Sequence, residues 1–331
     1  MDAFESPGSP DARELQMLER RLTALAEAVP FALHYAVEPI APAGEVAAGV
    51  PGHITRGAET VVPSFSTRKV GVLCAALALA RAGRLDPQQR LRVTAEHREG
   101  VQAGILRHLS PGIELTLDDC LVQMMCTSDN ICTQLVFEAI GTAVADLAQD
   151  ALQFVNDYCA WAGMRSTLHR QGSTRPPLVD QEVFPRTGGL DWHHPVDGLT
   201  VTTAADQARL LAMIGRGAGG PGALEAAARL QLTPADCRRV VELMRGIHTP
   251  RLGAATTRIA FAEKNGRGLR SLSQVGLALG AEGQPLSAVA VYAETIPTAL
   301  PDGVPGRNAV FAAFAQVGRA VEDWAVPVVT A

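Results

Sequence analysis

Apolar residues at Leu15, Leu18, Leu22 and Leu25 recur every three or four positions, which predicts an amphipathic helix over 15–28. Residues 31–37 read as a strand, and a second strand is expected between 44 and 60. The segment 70–80 is apolar on every side and is bounded by Lys69 and Arg81. It is too short to cross a bilayer, so a buried helix over 66–82, ended by Gly83, is the expectation. Thr116 and Asp119 have capping-box spacing and open a further helix. Helical periodicity continues over 130–140, 145–162, 203–215 and 234–247, where Thr233-Pro234-Ala235-Asp236 is a favourable helix start. Three strands are predicted at 257–262, 271–279 and 287–293, followed by a closing helix over 307–323. Residues 171–198 are rich in Pro and Gly with little periodicity; a loop of that length in a compact domain is usually functional or mobile.

Strands at both ends with helices between them imply an α/β (α+β sandwich) fold. About five strands from the two chain ends would pair into one antiparallel sheet, with the first and last helices packed on it. The expected division is a tail over 1–12, a sheet lobe of 13–62 plus 225–331, and a helical lobe of 63–224. A cleft between the lobes is the natural binding site.

Composition narrows the partners. The chain has 331 residues, 47% of them hydrophobic, enough for a large core, and a net charge of -5. No basic stripe is present, so nucleic acid is not an expected partner. Nor is a membrane. The N-terminal residues lack a basic and an apolar signal region, which suggests a cytoplasmic location for a chain starting there. A monomer or weak dimer is the expected assembly. Cys74, Cys120, Cys126, Cys132, Cys159 and Cys237 include no C-x-x-C pair. They read as reduced, buried thiols, with Cys74 and Cys120 the one pair whose segments are expected to approach each other.

Lysine usage locates the chemistry. Only Lys69 and Lys264 occur, against 27 arginines (29 Lys plus Arg in all). Arginine-rich codon usage accounts for the scarcity; the positions are what inform. Lys69 closes Ser66-Thr67-Arg68-Lys69, and Lys264 opens Lys264-Asn265-Gly266, with Ser128-Asp129-Asn130 between them. Ser66 and Lys69, three apart at a helix start, share one face. A serine hydroxyl needs an adjacent base to become a nucleophile, and a desolvated lysine can lose its proton where arginine cannot. Taken singly, each motif has a plain structural reading: Ser66 and Ser128-Asp129-Asn130 as helix caps, Asn265-Gly266 as a hairpin turn.

The ordered set S-x-x-K, S-D-N, K-x-G resembles that of the penicillin-recognising serine enzymes, most closely the class A β-lactamase-like family. The stretches 104–107, 112–116, 128–141, 202–206 and 241–244 agree, and the resemblance covers roughly residues 15–325. It implies Ser66 as nucleophile, Lys69 as base, Ser128 as proton relay and Asn130 as a contact to substrate and lysine. Lys264 would be an electrostatic anchor that stays charged. The Ser66 and Arg267 N–H groups would form an oxyanion hole, with Gly266 letting its strand lie close to a ligand. No cofactor or metal is implied.

Two departures stand out. The family's water-activating glutamate aligns near Gln171 or Gly172, neither of which is a base. Glu182 is the first substitute in the loop that follows; Asp180, Asp191, His193, His194 and Asp197 are others, and four of these also allow a weak metal reading. Asn265 stands where the family has a hydroxyl, and Arg267 with Arg270 offers a fork for a substrate carboxylate. The expected activity is hydrolysis of a small amide, lactam or ester through an acyl-Ser66 intermediate. An acyltransferase or biosynthetic amidase, and a penicillin-binding scaffold with negligible turnover, are the alternatives. A glutaminase is disfavoured by the motif context.

Overall fold

A computed structural model describes residues 12–40, 53–101, 103–147, 149–170, 172, 200–268 and 270–326. Helix α1 (Ala12–Ala28) leads into β1 (Ala32–Pro39), β2 (Ile54–Arg56) and β3 (Val62–Pro63). A 3₁₀ turn, Phe65–Arg68, then passes into α2 (Lys69–Arg81). The helical region continues through β4 (Arg90–Arg92), α3 (Ala95–Arg98), β5 (Glu114–Thr116), α4 (Leu117–Cys126), α5 (Asn130–Val144) and α6 (Ala151–Trp161). After β6 (Val201–Thr202) come α7 (Ala204–Ala218), α8 (Ala223–Ala228) and α9 (Pro234–Arg245). Strands β7 (Ala260–Arg267), β8 (Leu272–Leu279) and β9 (Pro285–Glu294) precede the closing helix α10 (Gly306–Ala325).

Five strands form one antiparallel sheet in the order β2-β1-β9-β8-β7, so both chain ends contribute, as the terminal strand patterns imply. One face packs against α1 and α10 through Leu18, Leu22, Val291, Phe314 and Val317. The other joins the core of the helical region through Ala262, Val275, Leu277, Ala290 and Tyr292. Because both faces are covered, β8 is buried along its whole length and reads as a continuous apolar strand rather than an alternating one. Helix α2 lies at the centre of the helical core, with ten of its residues from Lys69 to Leu79 buried. No single helix among the described residues is long and apolar enough to cross a membrane.

The predicted caps form. Thr116 and Asp119 make a capping box on α4, and Thr233 and Asp236 make one on α9 with Pro234 in the first turn. Three local readings change. The Ser66 segment is a 3₁₀ turn before the α-helix begins. The helix expected over 145–162 is broken, with a 3₁₀ turn (Ala145–Leu147) before α6. The strand expected to end at 262 runs on to Arg267, which puts Lys264-Asn265-Gly266 inside the sheet; β7 and β8 are joined beyond it, where Gly268 N–H donates to the Ser271 carbonyl.

Glu263 ties the segment before β7 to that strand. It is fully buried and accepts from the N–H groups of Arg251 (3.0 Å), Leu252 (2.9 Å) and Gly253 (3.1 Å), and from the Gln274 amide. Glu263→Ala is expected to strand three N–H groups and cost about 3 kcal/mol, read as a lower urea midpoint at unchanged slope; wild-type stability would mean that this segment is held by other contacts.

Candidate functional site

Strand β3 and the 3₁₀ turn deliver Ser66 to the edge of the sheet. The turn is pinned from three sides. Ser64 N–H and Oγ both donate to the Thr200 carbonyl, at 3.0 and 3.1 Å. The Thr67 hydroxyl donates to the Ser64 carbonyl at 2.7 Å and lies 2.8 Å from the Tyr292 hydroxyl on β9. Gly266 faces the turn directly: a Cβ there would come within 2.9 Å of the Ser64 carbonyl oxygen and 2.3 Å of Ser273 Oγ. The glycine is therefore required by the approach of strand to turn, beside the ligand approach the sequence suggested. Phe65, just before Ser66, has φ +44°, and Ser128 has φ +60°. Left-handed backbone at non-glycine residues costs of order 1–3 kcal/mol and persists only where the surroundings impose it.

Lys69 is fully buried and its amine is saturated. It donates to the Ser128 carbonyl (2.8 Å), Ser128 Oγ (3.1 Å) and Asn130 Oδ1 (2.9 Å). The S-x-x-K and S-D-N segments are thus joined through one nitrogen. Desolvation holds the Lys69 amine well below its ordinary range, and the charges of Lys264 and Arg68 push it the same way. Between Ser128 and Asn130, Asp129 takes the capping role. Its buried carboxylate accepts from Ile131, Cys132 and Leu106 N–H groups at 2.9, 3.0 and 3.1 Å. Gly104 makes room for it; at φ +102°, a Cβ would overlap Asp129 Oδ2.

Lys264 is also fully buried. Its amine donates to Asn265 Oδ1 (2.8 Å) and the Asn265 carbonyl (3.2 Å). Burial lowers its proton affinity to about 7. No carboxylate among the described residues is hydrogen-bonded to this amine, so desolvation is the main influence on its proton.

Of the two arginines expected to form a fork, Arg267 is exposed at the end of β7, whereas Arg270 Nε donates to the Ile296 carbonyl at 2.8 Å. Arg251, which the sequence did not suggest, lies with Arg267, Thr249, Asn265 and Gln274 around a small cleft. Its guanidinium stacks 3.9 Å from the Phe311 ring centroid, and desolvation and then Arg267 lower its proton affinity. No sequence signal marks Arg251, because it reaches β7 only through the Glu263 staple. Arg68 was also missed. It is buried beside Phe137 (5.6 Å to the ring centroid), donates to Thr200 Oγ1 (3.1 Å), and is lowered to about 10 by burial.

Glu182, Asp180, Asp191, His193, His194, Asp197 and Gln171 lie outside the described residues. Gly172 is described and faces Phe137. No group of residues that could hold a metal ion is found among the described residues. The six cysteines are free thiols. Cys120 lies beside Cys132, and Cys159 and Cys237 lie beside Cys74; all six are unbridged.

The fold recurs in solved structures. A β-lactamase from Sphaerobacter thermophilus DSM 20745 is 20% identical, with a TM-score of 0.69 over 95% of this chain and 99% of that one. PBP-A is 20% identical, with a TM-score of 0.66 over 96% and 99%. A β-lactamase from Xanthomonas campestris pv. campestris str. ATCC 33913 is 18% identical, with a TM-score of 0.68 over 94% and 98%. Comparison with curated protein sequences gives no match. The profile described as the Beta-lactamase enzyme family matches residues 51–325, which is most of the chain. With the sheet order, the Ser66 turn and the Lys69–Ser128–Asn130 cluster in place, the chain belongs to the β-lactamase enzyme family.

Proposed function

We propose that the protein is a serine hydrolase that opens a small amide or lactam through an acyl-Ser66 intermediate. The observation that carries this reading is the Lys69 amine, buried, lowered in proton affinity and bonded to Ser128 Oγ one helical turn from Ser66. In its neutral form Lys69 takes the Ser66 proton as Oγ attacks the carbonyl carbon. Ser128, which already shares a hydrogen bond with the amine, passes a proton to the leaving nitrogen as the C–N bond breaks. Backbone N–H groups of Ser66 and Arg267 stabilise the oxyanion. Arg251 and Arg267 hold an anionic group of the substrate, taking the place of the Arg267–Arg270 fork. Among relatives of the same fold, a mutant PBP-A has been solved as an acyl-enzyme complex with penicillin G.

The residue types at the family's glutamate position, Gln171 and Gly172, favour a second reading for the later step. Without a carboxylate there, water attack on the acyl-enzyme is slow. The acyl group then passes to an amine, as in an acyltransferase, or stays, as in a penicillin-binding scaffold.

Intact-mass measurement after incubation with benzylpenicillin is expected to show one covalent adduct, absent in Ser66→Ala; an adduct that persists in Ser66→Ala refutes the nucleophile assignment. Lys69→Arg keeps the charge but cannot release a proton, so acylation should fall by about 100-fold or more, and wild-type acylation in that variant would rule out Lys69 as base. Glu182→Gln should slow loss of the adduct without slowing its formation; unchanged turnover removes Glu182 from the reaction.

The charge on Lys264 carries a stability signature. Its proton affinity falls from 10.5 to about 7 on folding, so between those values the unfolded chain holds the extra proton. Stability then rises with pH across that window. Lys264→Met removes this dependence and should raise the melting temperature more at pH 6 than at pH 10. An equal change at both values would show that Lys264 keeps its proton throughout.

A further inference from the structure

A graded row of side chains crosses the sheet under the Ser66 turn. Gly266 of β7 is in register with Ser273 of β8, and Ser273 with Tyr292 of β9. Directly opposed residues of an antiparallel sheet share a face, so the three form one line. Along it the side chains grow from none, to a hydroxymethyl, to a phenol, and the turn sits in the room this leaves. At the narrow end a Cβ on Gly266 would come within 2.9 Å of the Ser64 carbonyl oxygen. At the wide end the Tyr292 hydroxyl lies 2.8 Å from Thr67 Oγ1. Ser64, Thr67, Ser273 and Tyr292 are all buried.

Chemistry fixes the direction of these hydrogen bonds. The Ser64 carbonyl can only accept, and Thr67 Oγ1 reaches it at 2.7 Å, so the single hydroxyl proton of Thr67 is used there. Tyr292 is then the donor to Thr67 Oγ1. Burial pushes the Tyr292 hydroxyl above its ordinary range, so it remains a donor at neutral pH. A chain of two bonds therefore runs from β9 through Thr67 to the carbonyl of Ser64, two residues before the nucleophile. The Thr67 N–H donates to the same carbonyl at 3.1 Å, while the Ser64 N–H and Oγ are held from the other side by the Thr200 carbonyl. Ser66 lies between the two residues that this chain ties.

We propose that Tyr292 is a positioning residue for attack by Ser66: its hydroxyl, acting through Thr67 on the Ser64 carbonyl, holds the turn so that the Ser66 hydroxyl and N–H keep the orientation the acylation step requires. The effect on rate rests on the acyl-Ser66 reading above; the holding of the turn does not. Tyr292 lies in the sheet beneath the turn and acts only through its neighbours. Because the contact is buried, water does not replace the lost oxygen when the hydroxyl is removed, and Thr67 Oγ1 is left without its donor. Attack is sensitive to such loosening, since a misplacement of about 1 Å can cost about 100-fold in rate.

Tyr292→Phe deletes one oxygen and keeps the ring. Acylation of the folded protein by benzylpenicillin, followed by intact mass, should show a maximal rate about tenfold lower with the half-saturating concentration within about twofold of wild type. Thr67→Val should lose a similar factor, whereas Thr67→Ser, which keeps the hydroxyl, should stay within about threefold of wild type. The double variant Tyr292→Phe with Thr67→Val should be no more than about twofold slower than the slower single variant, because both changes break one chain. A maximal rate unchanged in Tyr292→Phe, a change confined to the half-saturating concentration, or single effects that multiply in the double variant overturns the effect on rate. Hydrogen exchange of the peptide spanning residues 64–67 should be about tenfold faster in Tyr292→Phe, and unchanged exchange overturns the holding of the turn. If Tyr292→Phe does not fold, Thr67→Val against Thr67→Ser decides both. If the wild-type protein forms no adduct, the acyl-Ser66 reading fails, the effect on rate fails with it, and hydrogen exchange still decides whether Tyr292 holds the turn.

Discussion

Two amines buried side by side dominate the physics of this site. Moving an ammonium out of water costs several kcal/mol even after relaxation, and Lys264 adds its repulsion to the desolvation of Lys69. Neither amine is hydrogen-bonded to a carboxylate among the described residues; their partners are hydroxyl, carbonyl and carboxamide oxygens of Ser128, Asn130 and Asn265. Such acceptors locate a lysine without fully compensating its charge. The proton affinity of both amines is consequently low, as a base working near neutrality requires.

Two buried carboxylates next to motif residues, Asp129 and Glu263, are used differently. Asp129 gathers the N–H groups of Leu106, Ile131 and Cys132, and Glu263 gathers those of Arg251, Leu252 and Gly253. Each satisfies donors that would otherwise be stranded, and each fixes a loop that carries site residues. Spending these oxygens on the backbone leaves the lysines without ion-pair partners. Rigidity and a low lysine proton affinity therefore come from the same choice. Gly104 and Gly266 complete it by removing the Cβ atoms that would push Asp129 or the Ser66 turn away.

The position of Asn265 illustrates why residue type and residue geometry carry different information. As a letter it reads as a departure from a hydroxyl-bearing motif, or as half of a hairpin turn. Inside β7 it is in register with Gln274, and its side chain bridges a buried amine and an arginine-lined cleft. Arg270, equally plausible by spacing, donates its Nε to the Ile296 carbonyl. Long flexible side chains take whichever partner the fold brings near.

Periodicity alone determined the elements: five sheet strands, the buried α2, and the helix starts at Thr116 and Thr233, because alternation, apolar runs and caps are local and short-ranged. Motif order determined that Ser66, Lys69, Ser128, Asn130 and Lys264 belong together. What only the tertiary structure decided is how they meet. It set the Lys69 amine on Ser128, the continuation of β7 through Lys264-Asn265-Gly266, and the arrival of Arg251 beside β7. It also set the thiol neighbours and the burial that lowers the proton affinity of Lys264. These depend on burial and on contacts between residues far apart in the chain, and a desolvation cost exists only once the surrounding atoms have excluded water.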